Sequence, residues 1–303
     1  MPLFGGGMNI NGYIAVVAHD AGAANHIFAW IRSGLIDNTC IKLCLDGPAA
    51  KAYEKIQSGF KNYALSEVLY NANLLISGTG WASTLEHKSR ILAAEQSIKS
   101  VAVIDHWSNY RERFSSEEIE CLPDEIWVAD EYALTIANNL FPNIDVMQKP
   151  NDFICEQVET IKSLSRGHAH PHIAKVLFVM EPIRQKWLGS NEPGELQSLN
   201  FLVNNLSYIT NATSTELVIR PHPSDPQGKY DSRVASFDNV SVTINESASL
   251  AELIAWSDVV VGCQTYAMVV ALSANKKVVS ALPDNAPPCL LPHKEIIHLR
   301  ELV

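Results

Sequence analysis

"SDVVVGCQTYAMVVALSANKKVV", residues 257 to 279, decides how the rest of the chain is read. Three valines run into Gly262, a small polar turn follows, and then an apolar stretch of helical length leads through Asn275, Lys276 and Lys277 to a second β-branched run. Short, continuously apolar strands separated by helices are the pattern of a parallel sheet buried on both faces. The same alternation extends upstream through "KVLFVM" (175–180), a helix at 193–210, "ELVIRPHP" (216–223), "VSVTI" (240–244) and a helix at 247–256. Downstream of "DVVVGC" (258–263) come a helix at 264–274 and "KKVVSAL" (276–282).

An earlier series of the same kind fills the first half. Its strands are "YIAVVA" (13–18), "CIKLCL" (40–45), "LLIS" (74–77), "SVAVID" (100–105) and "EIWVAD" (125–130), with helices at 22–33, 48–58, 81–97 and 131–140. Around 158–175 both periods fade. The expected fold class is therefore α/β, with two Rossmann-like, doubly wound parallel-sheet domains facing a cleft. The boundaries are set at 8–160, 172–290 and a tail, 291–303, expected to pack on the first domain. "MPLFGGG" reads as a loose leader and is set aside.

Composition narrows the function. The chain has 303 residues, 47% hydrophobic, and a net charge of -10, which argues against a sequence-independent nucleic-acid binder. No apolar run approaches the roughly 20 residues of a membrane span, and the start lacks the pattern of an export signal, so a cytoplasmic protein is expected. Six cysteines without a close pair are expected to be free thiols.

In open parallel sheets ligands bind beyond the carboxyl ends of the strands. Six segments lie there: "AHDAGAANH", "SGTGWAST", "IDHWSNYRERF", "MEPIRQKW", "RPHPSD" and "GCQTYA". In "RPHPSD", Pro221 and Pro223 end the strand and force extended geometry on their neighbours, so His222 is aimed, and it can donate to a phosphate oxygen. A surface turn capped by Asp225 is the bland alternative. In "GCQTYA", Gly262 allows close backbone approach, and Thr265 stands at a helix start whose amides can seat an anion; an ordinary capped turn would look the same.

Together these two stretches resemble the C-terminal domain of GT-B glycosyltransferases, nearest to bacterial surface-polysaccharide enzymes of the polysialyl and Kdo transferase and CDP-glycerol glycerophosphotransferase types. The resemblance covers about residues 175 to 285. It implies that His222 contacts the donor phosphate and that Gln264 with Thr265 replaces the usual Ser/Thr pair; Arg220, beside His222, is expected to serve the leaving group with it. The helix carries "MVVAL" without the acidic residue that in many such enzymes holds the donor ribose, and Glu181 is the substitute considered, although it could equally cap the turn around Pro182.

The first half is then expected to hold the acceptor and the base. Asp105 is the first choice for base, ahead of Asp20 and His19. His106, Trp107 and Arg111 offer stacking and bidentate contacts to a sugar, against a reading in which Trp107 and Phe114 pack an interface and the arginines pair with "SSEEIE". Gly78 and Thr79 form a second anion or hydroxyl seat, and His26 reads as interior. His168, His170 and His172 alternate but have no carboxylate or cysteine at ligand spacing, so a polar linker is preferred to a metal site. No metal and no cofactor are expected.

These expectations amount to a metal-independent glycosyltransferase-like enzyme using a nucleotide-sugar donor and a sugar or glycan acceptor. A sugar-nucleotide epimerase or hydrolase, and a non-catalytic nucleotide-sugar-binding protein, are the alternatives; a two-lobed solute-binding protein ranks low for want of an export signal. The sequence leaves open a homo-oligomer, the nucleotide base and the sugar.

Overall fold

The computed structural model describes residues 12–80, 82–116, 118–165, 172–233 and 240–303. The leader, Trp81, His168 and His170 lie outside the described residues. The chain divides into two compact units, Met1–Phe153 and Ile154–Val303.

The first unit contains β1 (Tyr13–Ala18), α1 (Ala21–Ser33), β2 (Ile41–Leu45), α2 (Gly47–Ile56), α3 (Leu65–Leu69), β3 (Ala72–Ser77), α4 (Leu85–Glu95) and β4 (Lys99–Val103). A short antiparallel hairpin follows, β5 (Ser115–Ser116) and β6 (Ile119–Glu120), then β7 (Glu125–Val128), α5 (Glu131–Leu140) and β8 (Asp145–Gln148). Six strands form one parallel sheet in the order β2-β1-β3-β4-β7-β8. The alternation within β1 shows why both faces must be covered. Val16 and Ala18 enter one core with Ile27, Phe28 and Trp30, whereas Ala15 and Val17 enter another with Val68, Leu69 and Leu75. Each such fully buried large aliphatic or aromatic side chain contributes about 1.5–3 kcal/mol.

Helix α6 (Asp152–Leu164) leads into the second unit: β9 (Ile173–Val179), α7 (Gly194–Asn204), β10 (Ser214–Arg220), β11 (Val240–Ile244), α8 (Leu250–Trp256), β12 (Val259–Gly262), α9 (Tyr266–Ser273), β13 (Lys277–Ser280) and β14 (Ile297–His298). These strands form a parallel sheet ordered β11-β10-β9-β12-β13-β14. Val176, Phe178 and Met180 of the central strand region pack with Leu199, Leu217, Ile219, Val259 and Val261. Helix starts are fixed by side chains the sequence supplies: Asp46, Asp130, Ser249 and Thr265 each accept a main-chain N–H at the head of α2, α5, α8 and α9.

The α/β class with two Rossmann-like parallel sheets is thus as read from the sequence. Ile297 and His298 pair with β13, and Leu299 is fully buried in the second unit's core, so this segment belongs to the second unit. Its Ile-His-Leu run is short enough to serve as an edge strand, which a search for a docking helix passes over. Residues 152–164, where no helix was read, form α6, with Ile161 its one fully buried position.

Candidate functional site

Strand order reverses between β1 and β3 in the first sheet and between β9 and β12 in the second, so each unit has a crevice at the carboxyl ends of those strands.

In the first unit this crevice is organised by Glu86, in the first turn of α4 and fully buried. Its carboxylate accepts the N–H of His19 (3.0 Å), beyond β1, and of Gly80 (2.6 Å), beyond β3. Burial pushes its pKa up to about 7, although the two amides and nearby Arg90 pull the other way. Arg90, one turn on and 1% exposed, donates to Ser77 Oγ (3.2 Å), Gly78 O (3.0 Å) and Arg113 O (3.2 Å). Burial lowers its pKa to about 10. Above this base sit the polar groups that face outward. His19 Nδ1 and Asp20 Oδ1 are 2.7 Å apart, with side chains 17% and 31% exposed. A proton on Nδ1 facing the carboxylate leaves Nε2 as the basic nitrogen.

Asp105 pairs with Arg113, Oδ1 to Nη1 at 2.8 Å. The same Nη1 donates to Thr79 Oγ1 (3.2 Å), whose hydroxyl donates in turn to Val103 O (2.8 Å). Glycines let these groups close on the main chain. A Cβ at Gly22 would lie 1.7 Å from Asp105 Oδ2, one at Gly80 2.0 Å from Asp20 Oδ2, and one at Gly78 2.2 Å from Glu86 Oε1. The loops after β1, β3 and β4 are thereby locked to one another.

Several expected contacts turn inward. Asp105 is engaged by Arg113 through Oδ1. Trp107 is 7% exposed, and its indole N–H reaches both oxygens of Asp130 (3.0 and 3.1 Å), the residue that caps α5. It therefore packs against the head of α5. Thr79 is fully buried with its hydroxyl committed. Arg111 donates to Leu140 O (3.2 Å) at the end of α5. His106 meets Ser108 Oγ (3.0 Å) and lies beside Trp107. His26 is interior, between Trp30 and Phe153. Arg113 pairs with Asp105.

In the second unit, β9 is flanked by β10 and β12. Arg220 stands opposite Val179, and Val261 stands opposite Phe178, so Arg220 and Gly262 are level and about 10 Å apart, two ladder spacings. Beyond them lie the two motifs. His222 Nδ1 accepts the Ser224 N–H (3.2 Å) and contacts Ser224 Oγ (2.8 Å), which leaves the proton on Nε2. Burial lowers its pKa; Asp225 opposes this, and the cations Lys229 and Arg184 reinforce it. Asp225 accepts His222 N–H (3.1 Å), Lys229 Nζ (2.7 Å) and Tyr230 OH (2.9 Å), and Lys229 also reaches Glu195 (2.7 Å), which is 1% exposed. The proline-flanked loop is thus anchored into α7. Arg220 donates to Ala248 O, at the approach to α8, and burial lowers its pKa.

The turn at 262–265 holds a surprise for the anion-seat reading. Glu181, beyond β9, accepts the Gln264 N–H at 2.8 Å, and the Cys263 amide also stabilises it. Burial nevertheless raises its pKa to about 7. Glu181 therefore joins β9 to β12 as Glu86 joins β1 to β3. Thr265 caps α9 through Ala267 N, and Gln264 Oε1 accepts from Leu290 N (3.2 Å). Gly262 is tight, with Met268 Sδ 2.8 Å from a built Cβ. Cys263 is buried against Ser198 (3.3 Å), and burial drives its thiol pKa well up. Sequence reasoning missed Glu86, Arg90 and Glu195, because a single acid or base on a helix reads as an ordinary surface or dipole partner, and Lys229, in a turn, reads as a solvated charge.

Among the described residues no group of three or more His, Cys, Asp or Glu side chains is arranged to hold a metal ion, and no helix is long and apolar enough to cross a membrane.

No protein-family model matches the chain, and no curated protein matches it in sequence. Solved structures do match in fold. The UDP-GlcNAc 2-epimerase of Methanocaldococcus jannaschii aligns over 94% of this chain and 88% of its own, with a TM-score of 0.65 and 11% identity. That of Neisseria meningitidis, bound to UDP-GlcNAc, aligns over 90% and 83%, with a TM-score of 0.61 and 14% identity. A UDP-N-acetylglucosamine 2-epimerase described as putative, from Listeria monocytogenes, gives 0.56 at 13% identity over 90% and 80%. The chain shares with these proteins a fold of two Rossmann-like units.

Proposed function

We propose that the chain is an enzyme acting on a nucleotide-activated sugar at the bond between the anomeric carbon and phosphate. The observation that carries this reading is the state of His222. With Nδ1 taken by Ser224, the ring offers Nε2–H as a donor, and burial favours its neutral form. Arg184 and Lys229 contribute positive charge around it. A donor fixed before the ligand arrives stabilises negative charge on a departing phosphate without reorganisation.

Glycosyl transfer is the first reading of the chemistry. In the first unit the His19–Asp20 pair is arranged as a base: Asp20 orients the ring, which leaves Nε2 to accept a proton. Asp105, held by Arg113, shapes the floor of this crevice through Gly22. The phosphate stays with His222, with Arg220 supporting the loop from Ala248.

Epimerisation at C2 is the second reading, favoured by the fold match over most of the chain to UDP-GlcNAc 2-epimerases. Incubation with UDP-GlcNAc and with CMP-, GDP- and dTDP-linked sugars, followed by 31P and 1H NMR, separates the two. Transfer predicts free nucleotide only when an acceptor is present; epimerisation predicts a 2-epimer without one. In either case a sugar nucleotide at saturating concentration raises the melting temperature, and His222→Ala lowers affinity at least about tenfold. A His222→Ala variant with unchanged thermal shift sinks the assignment.

A further inference from the structure

The β2 edge of the first sheet carries a feature that this chemistry leaves unused. Two cavities of about 630 and 440 Å³ meet there, and Lys61 and Tyr63 line both. The larger is walled by Tyr53 and Phe60, whose ring centroids are 4.9 Å apart, with Asn38 and Gln57 as polar partners. The smaller is lined by Lys42 and by Tyr70, whose residue is 70% exposed. The segment between the cavities is fixed to the strand, because the Asn62 side chain both accepts from Leu45 N and donates to Leu45 O at 2.8 Å.

Two ammonium groups converge on one phenol ring. Lys61 Nζ lies 4.3 Å and Lys42 Nζ 5.5 Å from the Tyr63 centroid, and Lys42 is also 3.6 Å from that of Tyr13. Among the described residues neither lysine has a carboxylate in ion-pair range. Glu67 lines the smaller cavity too, but its Oε2 accepts the Ala64 N–H (3.1 Å) at the head of α3. In a chain of net charge -10 this is a local reversal of sign. Ring faces mixed with amides suit a pyranose, and two unneutralised ammonium groups suit carboxylate or phosphate substituents. Cavities that join around a strand edge suit several linked residues better than one.

We propose that the β2 edge is a second carbohydrate site, which takes an acidic oligosaccharide with one sugar ring in the larger cavity and its anionic groups at Lys61 and Lys42. This rests on the reading of the chain as a sugar enzyme and adds the class of glycan it grips. The test is calorimetric titration of the full chain with uronate-, sialate- and glycerol-phosphate-bearing hexamers, with neutral maltohexaose and polyaspartate as comparisons. At least one acidic glycan binds about tenfold tighter than maltohexaose and is not displaced by polyaspartate; Lys42→Glu with Lys61→Glu removes about tenfold of that affinity, and Tyr70→Ala several-fold, without lowering the melting temperature. The proposal is overturned if no acidic glycan exceeds maltohexaose, if polyaspartate competes equally, or if the double charge reversal changes nothing. The thermal shift given by sugar nucleotides, measured on the same double variant, reports on the other reading separately and is expected to persist.

Discussion

At Glu86 both carboxylate oxygens are taken by main-chain amides, yet the group has no solvent and one buried cation, Arg90, near it. Desolvation wins, and the pKa rises from 4.5 to about 7. Between those values the folded chain keeps a proton that the unfolded chain has released, so stability falls as pH rises through this window and is flat above it. The span corresponds to about 3 kcal/mol at 1.36 kcal/mol per pH unit. Urea unfolding of the wild type and of Glu86→Gln at pH 5, 6, 7 and 8 reads this directly. The variant is expected to lose the Glu86 share of the slope while the Glu181 share remains, and equal slopes would refute the assignment. Glu181 is placed in the same way, by the same cause, at the other switch point.

At the scale of elements, the loops after strands are held by short polar links, and two substitutions probe them. Gly22→Ala sets a methyl group 1.7 Å from Asp105 Oδ2 while Arg113 pins the other oxygen, Oδ1, so the carboxylate cannot swing aside without straining its ion pair. A loss of about 1–3 kcal/mol is expected from such overpacking, measured as a lower urea midpoint. Lys229→Met removes the cation that pairs with both Glu195 and Asp225, whose side chains are 1% and 0% exposed. The expected cost is about 3–5 kcal/mol, with Lys229→Arg recovering part of it and the 15N shifts of His222 moving in the methionine variant only. The sequence showed these elements where burial was periodic. Strand β1 coincides with the run read at 13–18, and α5 with the helix read at 131–140. It hid β8, whose Asp145, Met147 and Gln148 are exposed, and α3, which is a single turn and a half. The site was legible where a glycine or proline constrains the backbone, as at Gly22, Gly78, Gly262 and Pro221–Pro223. It was illegible where contacts span the fold: nothing near Thr79 or Asp105 in sequence announces that Arg113 will bind both, or that Glu181 will cross to Gln264.

For the molecule as a whole, two units repeat one architecture with different strand orders, and the last residues complete the second rather than trailing from it. Leu299 is fully buried within that core, and Leu299→Ala is expected to cost about 2–5 kcal/mol, which a truncated but otherwise inert tail would not show in denaturant titration. The internal carboxylate at β12 has a further effect. The Cys263 and Gln264 amides already hold Glu181, so an arriving oxyanion obtains those donors only by evicting it, and a carboxylate evicted beside an anion captures a hydrogen ion. Ligation and proton uptake then become a single event, and because about half the Glu181 carboxyls already carry a proton at pH 7, calorimetry in buffers of contrasting ionisation enthalpy should register up to about half a proton gained per ligand bound there.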